Sequence, residues 1–507
     1  LSSFLHLSIN IELMRFFWTC LILMLFSLNV SAQPGAKEFP EDPKEFLAQF
    51  EAFVTANKIA DIQKIYGEFA ALVKLGSVSP QDLVEIRKTA NQMLVQDLTA
   101  SPYFAEYLTG LVQLRKRESA GPLFAEWHEL LNGMLASSNF KANSFNEFLK
   151  FSGGFFELKA IRKSNSGVNW FTSSEQYRWE LREGQPILIF DKLDLFGVRK
   201  QDSIAIYQTA GEFSPVENRW HGSGGKVSWE RLGLNPEVYV VLGNYRIDAE
   251  KSIYEADTVN LHYPLYFGQR LIPGRFEDKL TAENPATGGS YPRFESYENI
   301  LRVDNLGQGI RYTGGFRLQG TTVYGFGNRE FPAQIEILGP DKTRRLRANA
   351  ELFTIRREER ITGESVSATI YFGADSLFHP SVNFRFEIQK RELELTRGDR
   401  GSDRNPFYSS LHNLNIDSDK INYYVQGDSI TFGEKSLVFS RRKTPVVFES
   451  LSYFQESDYN RFQNIATFNP IAVIKAVSEK EGTRFLDADF LASKLDSRFT
   501  VENIQTL

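Results

Sequence analysis

Histidine is the residue type here that most often binds metals or transfers protons, so histidine spacing is informative. The chain has six histidines. Five of them follow the predicted signal peptide described below, namely His128, His221, His262, His379 and His412. None lies four residues from another or beside a cysteine in a zinc-ligand pattern. The sequence therefore predicts no metal site, and nothing in it indicates a cofactor.

A glycine-rich segment at 221–225, with the sequence HGSGG, has the composition of an oxyanion-hole loop or a phosphate-binding loop. An oxyanion loop serves a nucleophile elbow of the form G-x-S-x-G, and a phosphate loop ends in lysine followed by serine or threonine. The sequence has no such elbow, and no such lysine-hydroxyl pair follows the segment. The segment is therefore predicted to be a hairpin turn.

Two acidic groups, Glu277-Asp278 and Asp417-Ser418-Asp419, are the remaining candidates for chemistry. Enzymes that cleave polysaccharides need only two well-placed carboxylates. Both groups lie in polar sequence typical of turns, and the second lacks the continuation of a calcium-binding loop. We expect both to be solvated turn residues, and no residue is assigned a catalytic role.

The beginning of the chain predicts export. Met14-Arg15 is followed by an apolar run at 16–28 and by the small-residue site Val30-Ser31-Ala32. This pattern is typical of a cleaved signal peptide, and the run is too short for a membrane span. Translation is expected to start at Met14, so residues 1–32 comprise upstream residues and signal. The only cysteine, Cys20, is expected to be removed with the signal peptide. The mature protein is expected in the periplasm or at the cell surface.

The charge of the predicted mature chain is mild. The whole chain has 58 basic and 63 acidic residues, and removal of Arg15 and Glu12 leaves 57 and 62, so the net charge stays at −5. A nucleic-acid-binding surface needs a basic patch, and no lysine- or arginine-rich block is present. No second apolar run approaches the length of a transmembrane helix. The sequence thus predicts neither nucleic-acid binding nor a membrane span after signal cleavage.

Residues 33–153 have helical periodicity. Phe46, Phe50 and Phe53 are spaced for one helix face, and Gly76 is placed to end a later helix. Ser79-Pro80-Gln81-Asp82 has the arrangement of a capping box with proline at the first helical position. The last helix is expected to stop at Gly153-Gly154. This segment is predicted to be a bundle of five or six helices.

From residue 154 to about 460 the period changes from 3.6 to 2. Val382, Phe384, Phe386 and Ile388 alternate with polar residues, as in strands with one buried face. Similar alternating runs recur, separated by turn-forming residues. Helical spacing returns in 461–507, which is interpreted as the start of a truncated helical domain, so that the chain is part of a longer protein.

A weak repeat runs through the β-rich region. Its anchors are Asp202, Asp257, Thr321, Asp375 and Asp428, each followed by a hydroxyl residue and then an apolar one. The intervals between them are 55, 64, 54 and 53 residues, obtained by subtracting successive positions. An aspartate before a strand can accept backbone N–H bonds in an Asx-turn. The anchors are therefore predicted to form turns at the start of strands.

The predicted fold is α+β and multidomain, with an N-terminal helical bundle, a repetitive and mainly antiparallel β region, and a helical C-terminal segment. A stack resembling a β-solenoid or a jelly roll is favoured for the β region. A closed propeller and a row of small sandwiches are the alternatives, since each also covers strand edges.

Three short segments of the β region share one pattern, namely 256–259 (ADTV), 374–377 (ADSL) and 427–430 (GDSI). Through these segments the β region, at about 180–455, resembles the OstA-type family of periplasmic lipopolysaccharide-transport proteins. Proteins of that family stack short antiparallel strands into an open jelly roll whose groove carries acyl chains. The helical segments have no counterpart in the family, and the layout as a whole resembles large exported proteins of Gram-negative bacteria.

These features predict a non-enzymatic protein of the cell envelope, associated with the outer membrane. Its β region would offer an elongated surface or groove to a lipid, a glycan or a partner protein. The alternative is a carbohydrate-active hydrolase or lyase on a β-helix or propeller. That alternative requires carboxylates from separate units to converge with aromatic residues in one cleft.

Overall fold

The structure is a computed structural model that describes most of the chain from residue 38 onwards. The described residues are 38–117, 120–174, 176–281, 290–398, 401–427, 429–433, 445–452, 470–495, 500–501 and 504. The predicted signal peptide and Asp428 lie outside the described residues.

The α+β class is confirmed, with N-terminal helices, a large antiparallel β region and short C-terminal helices. The chain forms two compact units. The first contains the described residues up to Leu193 together with Gly211–Trp220. The second, called the β unit below, contains Asp194–Ala210 and the described residues from His221 onwards.

The described helices fall into two groups. Those of the first unit are α1 (Pro43–Thr55), α2 (Ala60–Lys74), α3 (Pro80–Val95), α4 (Ala105–Arg115), α5 (Ala120–Ala136) and α6 (Ala142–Leu158). Those of the β unit are α7 (Pro264–Phe267), α8 (Pro470–Glu481) and α9 (Ala488–Lys494).

Local sequence signals set the helix ends. The Ser79 hydroxyl accepts a bond from the Asp82 N–H, and the Asp82 carboxylate accepts one from the Ser79 N–H. This reciprocal pair is the predicted capping box at the start of α3. Gly76 follows α2 with a φ of 73°, a left-handed conformation that glycine adopts without strain.

Helix α6 does not end at Gly153-Gly154 as expected but continues to Leu158. A Cβ at position 153 would lie 3.1 Å from the Thr109 side chain in α4. Glycine at this position therefore permits close packing between α4 and α6 instead of ending the helix.

The described strands are short, apart from a few long ones. They are β1 (Ala160–Arg162), β2 (Asn169–Thr172), β3 (Arg178–Arg182), β4 (Gln185–Arg199), β5 (Asp202–Ser214), β6 (Arg219–Ser223), β7 (Lys226–Ser228), β8 (Tyr239–Leu242), β9 (Asn244–Asp248), β10 (Ile253–His262), β11 (Leu271–Lys279), β12 (Arg293–Ser296), β13 (Leu301–Gly307), β14 (Ile310–Gln319), β15 (Thr322–Phe326), β16 (Ala333–Leu338), β17 (Arg344–Ala350), β18 (Leu352–Arg356), β19 (Arg360–Phe372), β20 (Asp375–Glu387), β21 (Glu392–Thr396), β22 (Phe407–Ser409), β23 (Leu414–Asp417), β24 (Lys420–Tyr424), β25 (Ser429–Phe432) and β26 (Val447–Ser450).

The first strands belong to the same unit as the helices. Trp179 in β3 lies edge-on to Phe148, Phe151 and Phe155 of α6, with ring centroids 5.5 to 6.3 Å apart. The change of periodicity at Gly154 therefore does not coincide with the boundary between the two units.

Most described strands of the β unit lie in two antiparallel ladders. The first ladder has the order β13–β14–β16–β17–β19–β20–β22–β23–β26. The second ladder has the order β9–β10–β11–β12–β14–β15–β18–β19–β20–β21–β24–β25. Strands β14, β19 and β20 take part in both.

The shared strands change partners partway along their length. In β14, residues 310–313 pair with β16, whereas residues 315–319 pair with β15. The β19–β20 register shifts between Gly363 and Val366, where Ser365 has a φ of 50°. Strands that pass from one sheet to another through a bulge or bend form the corners of packed sheets.

Both ladders bury alternate residues, as the period of 2 predicts. Ile335, Ile337 and Leu346 of the first ladder and Phe386 and Leu393 of the second are all 0% exposed. The inward face of the β unit is thus closely packed with mainly apolar side chains, and most of its polar side chains lie on the outer face.

Candidate ligand-binding groove

The predicted repeat anchors occupy different kinds of position. Asp202 and Asp375 are the first residues of β5 and β20, as expected. Thr321 lies in the turn between β14 and β15. Asp257, however, lies inside β10 and not at its start, at the point where the β10–β11 register shifts. Asp428 lies outside the described residues.

Asp202 is held by distant residues. Its buried carboxylate accepts bonds from the Thr281 backbone N–H at 2.7 Å and the Thr281 hydroxyl at 3.1 Å. The Arg231 guanidinium lies 3.4 Å away. These are contacts across the tertiary structure, where a local Asx-turn was expected, because the start of β5 lies against the end of β11.

Asp375 also bonds across strands. Its carboxylate accepts from the Ser410 hydroxyl at 2.9 Å, and that hydroxyl accepts from the Ser376 N–H at 2.8 Å. The contact joins the start of β20 to the segment after β22. Its role in the described structure is therefore to tie two chain segments together.

A groove with a volume of about 340 Å³ lies on the outer face of the second ladder. Its side chains come from the consecutive strands β10, β11, β12 and β14. The acidic residues that line it are Glu255, Asp257, Glu277 and Glu295. The arginines that line it are Arg275, Arg293 and Arg317, and Gln319 completes the polar lining.

The polar residues other than Asp257 form two rows across the strands. Glu255 pairs in register with Glu277, Glu277 with Arg293, and Arg293 with Gln319. In the second row, Arg275 pairs with Glu295 and Glu295 with Arg317. Neighbouring strands are about 4.8 Å apart, so the members of each row are within reach of one another.

Ion pairs hold much of this lining in place. Glu295 accepts from Arg275 at 2.8 Å through one oxygen and from Arg317 at 2.7 Å through the other. Glu277 lies 3.8 Å from Arg293. Glu255 and Asp257 are exposed and make no ion pair with any described residue.

Two tyrosines flank the groove. The Tyr291 ring lies over the Arg293 guanidinium, with 4.1 Å between its centroid and Cζ. Burial and a hydrogen bond to Glu277 raise the pKa of Tyr291 above its ordinary value. Tyr297 is 54% exposed, and its hydroxyl donates to the Asp257 carbonyl.

A buried charge cluster lies behind the groove, because Asp278 points inward from β11 while its neighbour Glu277 points outward. Arg231 donates to both Asp278 and Asp202, whose side chains are 0% exposed. Tyr254 is the register partner of Asp278 and is also buried. Burial raises the pKa of Asp278 to about 7, opposed by Arg231 and reinforced by Asp202.

The two acidic groups identified from the sequence occupy different kinds of position in the structure. Glu277-Asp278 lies within β11 and not in a turn, which corrects the expectation. Asp417 and Asp419 both pair with the Arg397 guanidinium, the latter at 3.0 Å. The described structure therefore uses Asp417 and Asp419 as partners of a structural arginine.

The histidines do not converge in the described part of the chain. His128 and His379 are buried in different units, and each bonds to a backbone carbonyl. Burial lowers the pKa of each to about 4. No group of three or more His, Cys, Asp or Glu suited to a metal ion occurs among the described residues. The hairpin turn predicted at 221–225 is wrong, because His221–Ser223 belong to β6 and Gly224 and Gly225 link β6 to β7 while bonding through their backbones to Gly243 and Leu242.

The sequence analysis did not identify Arg275, Arg293, Glu295 or Arg317. The sequence feature that could have indicated them is the alternation of polar with apolar, buried residues in β11, β12 and β14. That alternation gives the exposed face of each strand but not which strands are neighbours.

Comparisons with known proteins do not place the chain in a family. No protein-family model, no curated protein and no solved structure matches it. Among the described helices, none combines the length and the apolar character needed to cross a bilayer. The functional conclusion therefore depends on the groove itself.

Proposed function

We propose that the protein is a non-enzymatic, exported component of the cell envelope whose β unit binds its ligand along the polar outer face of the second ladder. The groove of about 340 Å³ carries this proposal, since four consecutive strands place seven charged side chains in it. Ligand pockets of roughly 300–1,000 Å³ are typical of specific binding sites. The buried inner face is already filled with apolar side chains, which favours the outer face over an acyl-chain groove.

The proposal can be tested by sedimentation with envelope fractions. Mature protein would be incubated with peptidoglycan sacculi and with outer-membrane vesicles from a Gram-negative bacterium. Replacing both Arg275 and Arg317 with alanine should weaken binding about tenfold, because each lost charged hydrogen bond costs about 1.5–3 kcal/mol and water partly replaces it. Arg302→Ala is the matched control, since Arg302 is a 67% exposed arginine in β13 outside the groove. Equal binding by the two variants would contradict the proposal.

A carbohydrate-active enzyme is the second candidate, and one observation favours it. Glu255 and Glu277 are register partners on the outer face, so their carboxylates come from adjacent strands. Paired carboxylates about 5–10 Å apart are the requirement of glycosidases. Release of reducing ends from the same envelope fractions, abolished by Glu255→Gln or Glu277→Gln, would establish the enzyme and reject the non-enzymatic proposal.

A further inference from the structure

The charges of the groove largely neutralise one another before any ligand binds. Glu295 is shared by Arg275 and Arg317, and Glu277 lies beside Arg293. Glu255 and Asp257 add negative charge at the β10 side. A strongly anionic ligand would meet these carboxylates, and a strongly cationic one would meet three arginines. A ligand with several charges of one sign would therefore meet like charges in part of the lining, whichever sign it carries.

An uncharged ligand rich in hydroxyl groups faces no such conflict. Arginine has five N–H donors, and a carboxylate has about four acceptor positions. The Arg275 side chain is 63% exposed and donates to Glu295 through one nitrogen. Hydroxyl groups can therefore bond to the free donors and acceptors while the ion pairs remain intact.

Two tyrosine rings lie beside the groove and contact its lining residues Arg293 and Asp257. Tyr297 is more than half exposed, although its hydroxyl is tied to the Asp257 carbonyl. Tyr291 is held by Glu277 and by the Arg293 guanidinium. Aromatic rings with a bound polar end present an apolar face to a ligand at little entropic cost.

We infer that this groove binds an uncharged glycan chain, whose hydroxyl groups bond to the Arg275–Glu295–Arg317 row and whose sugar rings stack against Tyr291 and Tyr297. This inference rests on the proposed function, namely that the outer face of the second ladder is a binding surface. It adds the chemical class of the ligand.

The experiment is a calorimetric titration of the mature protein with defined hexasaccharides at low and high salt. The neutral probes are the hexamers of glucose in β-1,4 and α-1,4 linkage and of N-acetylglucosamine. Galacturonic acid and glucosamine hexamers are the anionic and cationic probes. At least one neutral probe should bind, and its affinity should change less than about twofold with salt because no ion pair forms with the ligand.

Groove variants identify the site. Replacing both Arg275 and Arg317 with alanine, or Tyr297→Ala alone, should weaken binding of the neutral probe about tenfold or more. Arg302→Ala should leave it unchanged. Thermal melts of each variant would show that the loss is not a loss of folding.

Three results would overturn the inference. They are binding of charged probes alone with a steep salt dependence, neutral binding that the groove variants leave intact, and no binding of any probe. In each case the sedimentation experiment tests the proposed function separately. That experiment asks whether the groove arginines are needed for binding to envelope fractions, whatever the chemical class of the ligand.

Discussion

At the scale of single residues, Glu277 and Asp278 show how strand geometry separates adjacent carboxylates. Successive side chains in a strand point to opposite faces. Glu277 consequently lines the outer groove, whereas Asp278 is fully buried with Arg231 and Asp202. One carboxylate is available to a ligand, and the other contributes to stability in a way that depends on pH.

Asp278 should make the β unit less stable as pH rises. Its pKa is about 7 in the folded protein, mainly through burial, against about 3.8 when exposed. A raised folded pKa gives stability that is complete below the unfolded pKa and is lost as pH rises through the folded one. The free energy of unfolding of Asp278→Asn, measured relative to that of the native protein, should therefore increase by roughly 2 kcal/mol from pH 5 to pH 8.

Urea denaturation at several pH values would measure this difference. The variant must be compared with the native protein because two histidines also make stability depend on pH. His128 and His379 have lowered pKa values, so their effect is that the protein loses stability as pH falls, which is the opposite of the effect of Asp278. Asp304→Asn, at a 69% exposed carboxylate, should show no such trend. Parallel curves for Asp278→Asn and the native protein would mean that Arg231 keeps Asp278 ionised.

At the scale of elements, glycine has two different roles inside the helices of the first unit. A Cβ at Gly110 in α4 would lie 2.8 Å from the fully buried Trp127 ring of α5. A Cβ at the exposed Gly67 in α2 would meet nothing within 4 Å. Close helix packing requires the first glycine, and no packing contact requires the second.

Alanine substitutions at these two glycines should change stability in opposite directions. Gly110→Ala should lower the free energy of unfolding by about 1–3 kcal/mol, because the indole must shift in a packed core. Gly67→Ala should raise it by about 0.5–1 kcal/mol, because alanine favours the helix. Urea midpoints for the first unit would measure both, and equal effects would show that the Trp127 contact does not restrict position 110.

At the scale of the whole molecule, the two ladders explain why the polar groove and the apolar interior coexist. The long strands β14, β19 and β20 join the ladders and keep one face buried along their length. Four strands from one part of the second ladder then supply the groove. The groove thus depends on the order of the strands in the ladder, which brings together residues from 255 to 319 of the chain.

Export remains a prediction for the whole chain. Expression from Met14 in a Gram-negative host should give a periplasmic protein whose first residue is Gln33, determined by mass spectrometry. Ala32→Arg should block cleavage because the site requires a small residue, whereas Ala36→Arg should not. A cytoplasmic, uncleaved product from the native sequence would contradict the prediction.

The sequence alone determined the features that depend on local chemistry. Helical and strand periods gave the α+β order, and Ser79 and Asp82 gave a capping box that the structure contains. These features were readable because a helix or strand face repeats within a few residues. Local periodicity does not locate the boundary between the two units, because strand β3 joins the first unit through the packing of Trp179 against α6.

Only the tertiary structure decided the groove and the roles of the repeat anchors. Asp202 contacts Thr281 and Arg231, and Asp375 contacts Ser410, at sequence separations that no local motif spans. The Arg275–Glu295–Arg317 row likewise requires β11, β12 and β14 to be neighbours in one register. Register and strand order come from long-range pairing, and the alternation within each strand is compatible with many such pairings.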